Sequence, residues 1–265
     1  MKLSHVKGLL IDVDGTLLRS KAALPGVELF FPFLRSKGVK FCIATNNSVV
    51  TAEQYQRFFE QLGAPISEAE ILTSSAAMRY YLERHFPQGG KAYVIGREGL
   101  RQAVRQAGFE VLEGMEAAAD VAVVGGDPHF TYDHLKYACL HIQNGAVFLG
   151  TNPDVLYPSD EGLLPEVGTT LAALKAATGV EARVIGKPEK HLFEAALQRL
   201  GLEARETAML GDRLDTDIAG AKRIGMASIL VETGVDNRDS AQQHNIHPDM
   251  IVRDLPELMA RWEDQ

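Results

Sequence analysis

The sequence predicts an α/β protein whose main sheet is parallel and whose middle third forms a second α/β module. Three observations carry this expectation. Short apolar runs alternate with helix-patterned segments of about a dozen residues almost from end to end, the pattern of parallel strands joined by right-handed crossovers. Glycine-rich breaks near 88–90 and 179–186 interrupt that alternation, and the first style of unit resumes after the second break. Polar residues cluster just past several strand candidates, where an open parallel sheet gathers its ligand crevice.

In chain order, GLLIDVD (8–14) reads as a short buried strand. PGVELFFPFLRSKG (25–38) reads as a helix opened by Pro25 and stopped by Gly38, with a kink or break expected at Pro32. VKFCIATN is the next strand. TAEQYQRFFEQLG opens with Thr51 and Gln54 at capping-box spacing and ends at Gly63. A helix from Ser74 to Phe86 precedes FPQGG. The middle module then reads strand KAYVIG, helix EGLRQAVRQAG, strand DVAVVG, helix TYDHLKYACLHIQNG and strand AVFLGT. Residues 151–168, rich in Pro, Gly and Asp, read as a long loop before helix TTLAALKAATG. After RVIGKP come a helix over 188–200, strand TAMLG, a helix over 216–224, strands ASILVE and DMIV, and a C-terminal helix.

Composition bounds the function. A chain of 265 residues suffices for one large domain or two smaller ones. Its net charge of -8 argues against a nucleic-acid polymer or an anionic membrane as partner, yet a local cation or metal can still attract a small anion. Cys42 and Cys139 lie far apart and predict no disulfide framework. No apolar run reaches membrane-spanning length and no secretory leader pattern opens the chain, so a soluble cytoplasmic protein is expected, with the sequon at Asn46 unused.

Four clusters sit at strand ends or helix starts: Asp12-Val-Asp14-Gly-Thr16, Thr45-Asn46-Asn47, Gly186-Lys187-Pro188 and Gly211-Asp212-Arg-Leu-Asp215-Thr-Asp217. A calcium loop of EF-hand type would place its glycine sixth and a glutamate twelfth. Here the glycine is fourth and the twelfth residue is Ala23, so that reading fails. Alone, a D-x-D-G stretch is as consistent with two carboxylates that cap a turn. With three further polar strand ends the functional reading gains the upper hand. Unit charges 4 Å apart repel by about 4 kcal/mol at an effective dielectric near 20, so Asp12, Asp14 and Asp212 converging in one crevice call for a counter-ion. Mg2+, a hard cation that takes oxygen ligands, suits them, and Lys187 adds positive charge. Such a site draws in a phosphate dianion. One carboxylate of the D-x-D pair can attack phosphorus while the other trades a proton with leaving group and water. Thr45 and Asn46 are placed to hold the transferring oxygens.

The ordered set DVDGT, ATNN, GKP and GDRLDTD resembles the four motifs of the haloacid dehalogenase (HAD) superfamily of phosphatases. TNNS, GKPEKHLFEAAL and GDRLDTDIAGAKRIG are similar to subclass IIA, the NagD-like and phosphoglycolate or para-nitrophenyl phosphatase branch, as are ALPGV and GGDPHFTYDHL. The resemblance covers essentially the whole chain. It implies a Rossmann-like parallel sheet core of HAD-like hydrolase fold over 1–78 and 183–265, with an inserted α/β cap over 79–182. It implies Asp12 as nucleophile and Asp14 as general acid/base. Mg2+ would be held by Asp12 and Asp212, with the Asp14 carbonyl also reaching it. Thr45, Asn46 and Lys187 would hold phosphate, Lys187 also orienting Asp12, and Asp217 would stand behind the ligands or replace one. Asp215 is as well read as a helix cap. The cap-side candidates are Asp127, His129, Tyr132, Asn152 and Asp154; the chain reads PEVGTT where the branch commonly has a PGxG-like stretch. The expected function is Mg2+-dependent hydrolysis of a small phosphate monoester through an aspartyl-phosphate. The expected partner is a small phosphorylated substrate, and a homodimer is admitted. Three other readings use similar residues. A phosphotransferase or mutase would pass phosphate to a second sugar, a phospho-accepting regulator would hold it without turnover, and a dehalogenase of the same fold would lack Asp14.

Overall fold

The first apolar run becomes β1 (Gly8–Ile11), buried at all four positions, in a computed structural model that describes residues 3–159 and 161–263. A small hairpin follows, β2 (Leu18–Arg19) against β3 (Ala22–Ala23), then α1 (Val27–Ser36), β4 (Lys40–Thr45) and α2 (Ala52–Gln61). β5 (Ile71–Thr73) runs straight into α3 (Ser74–His85), whose first turn is capped by the Thr73 side chain accepting the Ala76 N–H. Next come β6 (Gly90–Ile95), α4 (Glu98–Gln106), β7 (Phe109–Leu112), β8 (Val121–Val124), α5 (Tyr132–Gln143) and β9 (Val147–Gly150). β10 (Leu156–Ser159), β11 (Gly162–Pro165), α6 (Val167–Thr178) and β12 (Arg183–Val184) complete the middle of the chain. The last third holds α7 (Lys190–Leu200), β13 (Thr207–Gly211), α8 (Ala219–Arg223), β14 (Ala227–Val231), α9 (Arg238–Gln243), β15 (Met250–Val252) and α10 (Leu255–Glu263).

The chain divides into two compact units, Met1–Thr45 with Ala52–Leu72 and Lys187–Gln265, and Asn46–Thr51 with Thr73–Gly186. The boundaries expected from the sequence, 79 and 182, fall a few residues inside the second unit. α3 and the short segment after β4 both count with it.

The first unit is built on a six-stranded sheet in the order β15-β14-β13-β1-β4-β5. β1 pairs in parallel with β13 on one side and β4 on the other, Ile11 standing level with Leu210 and Ile43. The chain leaves β1 toward β4 and later returns to β13, so the strand order reverses at β1, where ligands of such sheets bind beyond the carboxyl ends. α1 buries Val27, Phe30, Phe31 and Leu34. The break expected at Pro32 does not occur. Pro32 lies on the exposed face, and the carbonyl its ring leaves unserved is that of exposed Glu28, which faces solvent, while the apolar face holds the helix together.

The second unit carries a five-stranded sheet, β12-β9-β8-β6-β7, every neighbouring pair parallel. Its core gathers Tyr93, Ile95, Val124, Ile142, Phe148, Leu171 and Leu174. His141 is fully buried there, one ring nitrogen 2.8 Å from the Gly114 carbonyl and the other accepting the Ala119 N–H at 3.4 Å. The expected loop over 151–168 is corrected by the structure: β10 and β11 pair antiparallel as a hairpin within it. Prolines at 158 and 165 hid it from a pattern reading. Half the N–H groups of a two-stranded ribbon point away from the ladder, where proline is tolerated. The helix expected over 216–224 is a wide turn, Leu214–Ile218, followed by the short α8. Both cysteines are free, Cys42 buried and Cys139 half-buried. Among the described residues no helix is long and apolar enough to cross a membrane. The expected α/β class with parallel sheets holds.

Candidate active site

Asp12 is the first residue past β1, its N–H donating to the Leu210 carbonyl of β13 at 2.9 Å. Leu210 pairs with Ile11, so Gly211 stands level with Asp12 and Asp212 lies one residue beyond. Strand register alone therefore delivers both carboxylates to one edge of the sheet. One carboxylate oxygen each from Asp12, Asp212 and Asp217 lie within 4.8 Å of one another, and all three residues are buried. Lys187 sits among them, 2% exposed, with Nζ 2.5 Å from Asp12 Oδ1 and 2.7 Å from Asp217 Oδ1.

Three carboxylates against one ammonium leave an excess of two negative charges when all are ionised. The electrostatics record that excess. Burial pushes the Asp212 carboxyl up to about 8, with the Asp12 and Asp217 charges adding to it. Burial likewise raises Asp217 to about 6 and holds Asp12 above its ordinary value, in both cases against the pull of Lys187. Burial works against the charged form of Lys187, but Asp12 and Asp217 together hold its ammonium above the usual lysine range.

Asp212 is prepared as a ligand. Its Oδ2 accepts the Val235 N–H at 2.7 Å, while its Oδ1 is buried and receives no hydrogen bond. Two glycines make room. A Cβ at Gly15 or Gly234 would stand 2.3 or 1.9 Å from Asp212 Oδ2, and Gly15 also takes a positive φ of 83° in the turn after Asp14. An all-oxygen donor set with excess negative charge and an unsatisfied buried oxygen fits a hard divalent cation.

The other expected residues fall in different places. Asp14 is exposed and lies outside the buried triad, whereas Asp217, expected behind the ligands or in place of one, is inside it. Thr45 ends β4, 2% exposed, one residue beyond the level of Asp12. Asn46 belongs to the second unit. There its Nδ2 donates to Asp154 Oδ2 at 2.9 Å, and its carbonyl accepts from Ser74 Oγ at 2.7 Å and Asn152 Nδ2 at 2.9 Å. Asn152 and Asp154 thus touch a residue expected to hold phosphate. Asp127 accepts the His129 N–H and forms a turn, and Tyr132 is 77% exposed at the start of α5. Asp215 is no helix cap: its carboxylate pairs with Arg213 across two hydrogen bonds of 3.1 and 2.9 Å. The turn is capped instead by Asp236, whose Oδ2 accepts the Leu214 N–H at 2.8 Å. Thr233, Gly234, Val235 and Asp236 also border the carboxylates, a segment the sequence motifs do not single out. Their signal was a polar cluster just past ASILVE, the same feature that marked the other strand ends.

Comparison with known proteins accounts for this arrangement. A family model described as haloacid dehalogenase-like hydrolase matches residues 9–110, and a second, HAD-hydrolase-like, matches residues 184–258. An acid sugar phosphatase of Staphylococcus aureus is 36% identical over 261 residues, 98% of this chain and 100% of that one. Among solved structures, a p-nitrophenyl phosphatase from Archaeoglobus fulgidus is 31% identical with a TM-score of 0.90, covering 96% of this chain and 98% of that one. The glycerol phosphate phosphatase of Mycobacterium tuberculosis, in complex with magnesium, is 30% identical with a TM-score of 0.89, covering 97% of this chain and 78% of that one. With its strand-end carboxylates and its likeness along nearly the whole chain, this protein belongs to the haloacid dehalogenase-like hydrolases and is an enzyme of their subclass IIA phosphatase branch.

Proposed function

We propose that this enzyme hydrolyses a small phosphate monoester, of the sugar phosphate, nucleotide or phosphoglycolate class, with Mg2+ as cofactor and a phosphorylated Asp12 as intermediate. The observation that carries the reading is the buried triad of Asp12, Asp212 and Asp217 around the Lys187 ammonium. Relatives named for acid sugar phosphatase, p-nitrophenyl phosphatase and glycerol phosphate phosphatase activity support the substrate class.

Asp12 supplies the nucleophile. Lys187 holds Asp12 Oδ1 at 2.5 Å, which fixes the carboxylate's rotation and leaves its second oxygen for phosphorus. Asp217 Oδ1 lies 2.7 Å from the same ammonium, and its charge helps keep Lys187 protonated in a buried place. Asp12, Asp212 and Asp217 would hold Mg2+, with the Asp14 carbonyl as a further ligand. The ion supplies charge neutralisation for the incoming phosphate. Thr45, Asn46 and Lys187 bind the phosphoryl oxygens, and positioning with charge neutralisation provides most of the catalysis of such transfers. Asp14, exposed two residues after the nucleophile, gives its proton to the leaving oxygen and then takes one from the attacking water.

The test is acid quench of the enzyme during turnover of a phosphate monoester with Mg2+, followed by mass spectrometry of the peptide carrying Asp12. A phosphoryl group on the Asp12 carboxylate is expected, and it should disappear once the substrate is exhausted. Phosphate on no aspartate at any time point, with full turnover, would remove the covalent mechanism.

A further inference from the structure

β14 ends at Val231, and the residues that follow leave the carboxyl edge of the sheet beside β13. Four hydrogen bonds tie this segment to the two carboxylate loops. Val235 N–H donates to Asp212 Oδ2 at 2.7 Å, and Asp236 N–H donates to the Asp212 carbonyl at 3.0 Å. Asp236 Oδ2 accepts the Leu214 N–H at 2.8 Å, and Thr233 Oγ1 donates to the Gly15 carbonyl at 2.6 Å. Gly234, between them, provides the clearance that a Cβ 1.9 Å from Asp212 Oδ2 would remove.

We propose that residues 233–236 form a clasp that presents Asp212 to the divalent cation, with Asp236 as its positioning residue and not a ligand. The inference rests on the reading that Asp12, Asp212 and Asp217 hold that cation. The clasp occupies Asp212 Oδ2, which fixes the side-chain rotamer and leaves Oδ1 as the oxygen without a protein partner. Asp236 does this from two directions. It bonds the Asp212 main chain through its own N–H, and its carboxylate caps the wide turn that begins at Leu214 and carries Asp217. Asp217 itself accepts the Arg213 N–H at 3.2 Å, so a metal-cluster carboxylate and a clasp carboxylate cap neighbouring N–H groups of one turn. Such π-type turns, here with Ile218 N–H reaching the Arg213 carbonyl five residues back, recur at functional sites. Groups that orient metal ligands typically govern about 10–100-fold of affinity.

The experiment is calorimetric titration of chelator-stripped full-length protein with Mg2+, paired with thermal unfolding in Mg2+ and in chelator. Asp236→Ala, which leaves the buried Leu214 N–H unpaired, should weaken Mg2+ binding by about tenfold or more. Asp236→Asn, whose side-chain oxygen can accept the same N–H, should stay within about threefold of the parent. A general loss of fold would not distinguish Asn from Ala through Mg2+ affinity in this way. Should Asp236→Ala not fold, Thr233→Val carries the decision, with several-fold weaker Mg2+ binding expected at unchanged stability in chelator. Parent-like binding in Asp236→Ala, or in Thr233→Val where that variant decides, overturns the clasp, as does an Asn variant no better than Ala. Asp212→Asn separates the two levels: if it binds Mg2+ as the parent does, the cation reading fails and takes the clasp with it. If Asp212→Asn loses Mg2+ while Asp236→Ala keeps it, the clasp alone falls.

Discussion

Replacing Lys187 by methionine keeps the length and apolar stem of the side chain and deletes the charge. The ammonium lies 2.5 Å from Asp12 Oδ1 and 2.7 Å from Asp217 Oδ1 at 2% exposure, so water cannot take its place without opening the core. Removing one partner of a buried ion pair costs about 3–5 kcal/mol, because the remaining charge is stranded. At about 2–4 °C per kcal/mol, the melting temperature of chelator-treated protein should fall by about 10 °C at pH 8. The sign of the pH dependence follows from the carboxylates. Without the cation, Asp12 and Asp217 lose the interaction that pulls their folded pKa values down. A carboxyl raised on folding costs more stability as pH rises, so the deficit should widen from pH 5 to pH 8. Mg2+ should narrow it by supplying positive charge. Thermal unfolding of parent and variant at both pH values, in chelator and in Mg2+, checks each step. A deficit below about 1 kcal/mol at pH 8, or one flat in pH, would refute the argument that the cluster is held together by this charge.

In the parent protein without metal, Asp217 titrates at about 6 and Asp212 at about 8, both above their unfolded value of 3.8. Their contribution is fully present below pH 3.8 and is lost as pH rises through those values. Stability in chelator should therefore fall by several kcal/mol between pH 4 and 8, each carboxyl costing about 1.4 kcal/mol for every pH unit that separates its folded from its unfolded pKa. Lowered carboxyls such as Glu232, Asp249 and Glu257 act in the opposite direction, but only as pH falls below their ordinary values of 3.8 to 4.5, at the acid edge of that window. Melting curves across the pH range, with and without Mg2+, read the difference. Asp12→Asn should abolish phosphate monoester hydrolysis while circular dichroism reports an intact fold; retained turnover would take the nucleophile's role from Asp12. Chelation should silence the enzyme and Mg2+ restore it, and activity surviving excess chelator would contradict the role given to Asp212. His141→Leu leaves the Gly114 carbonyl and the Ala119 N–H without their buried partner. It should destabilise the protein by about 2–4 kcal/mol, measured by denaturant unfolding, with kcat at 25 °C little changed.

Much of this protein is legible because its chemistry sits where strands end. Asp12 and Asp212 each follow a short apolar run, and once those runs pair as neighbouring parallel strands the two residues meet at one edge of the sheet. Lys187 was legible as positive charge opening a helix, but its burial between Asp12 and Asp217 was not, since a lysine reads as a surface residue until its partners are known. Asp217 and Asp215 are two residues apart in one turn, and spacing does not say which of them faces inward. The wide turn decides it: Asp217 bonds back to the Arg213 N–H and faces Lys187, and Asp215 pairs with the Arg213 side chain at the surface. The hairpin at 156–165 escaped because its prolines mask strand pattern, and Pro32 suggested a break because pattern alone does not show which face of α1 is wet. Asn46 shows a further limit. Its partners Ser74, Asn152 and Asp154 are 28 to 108 residues away, and nothing local in TNN announces them.

The most direct test of the account is a crystal structure of the enzyme with Mg2+ and beryllofluoride, an analogue of a phosphoryl group on an aspartate. One cation is expected among Asp12, Asp212 and Asp217, with oxygens of Asp12 and Asp212 at about 2.1 Å and beryllium on the Asp12 oxygen that does not face Lys187. A cation seated away from Asp212, or beryllium on Asp14 instead of Asp12, would contradict it.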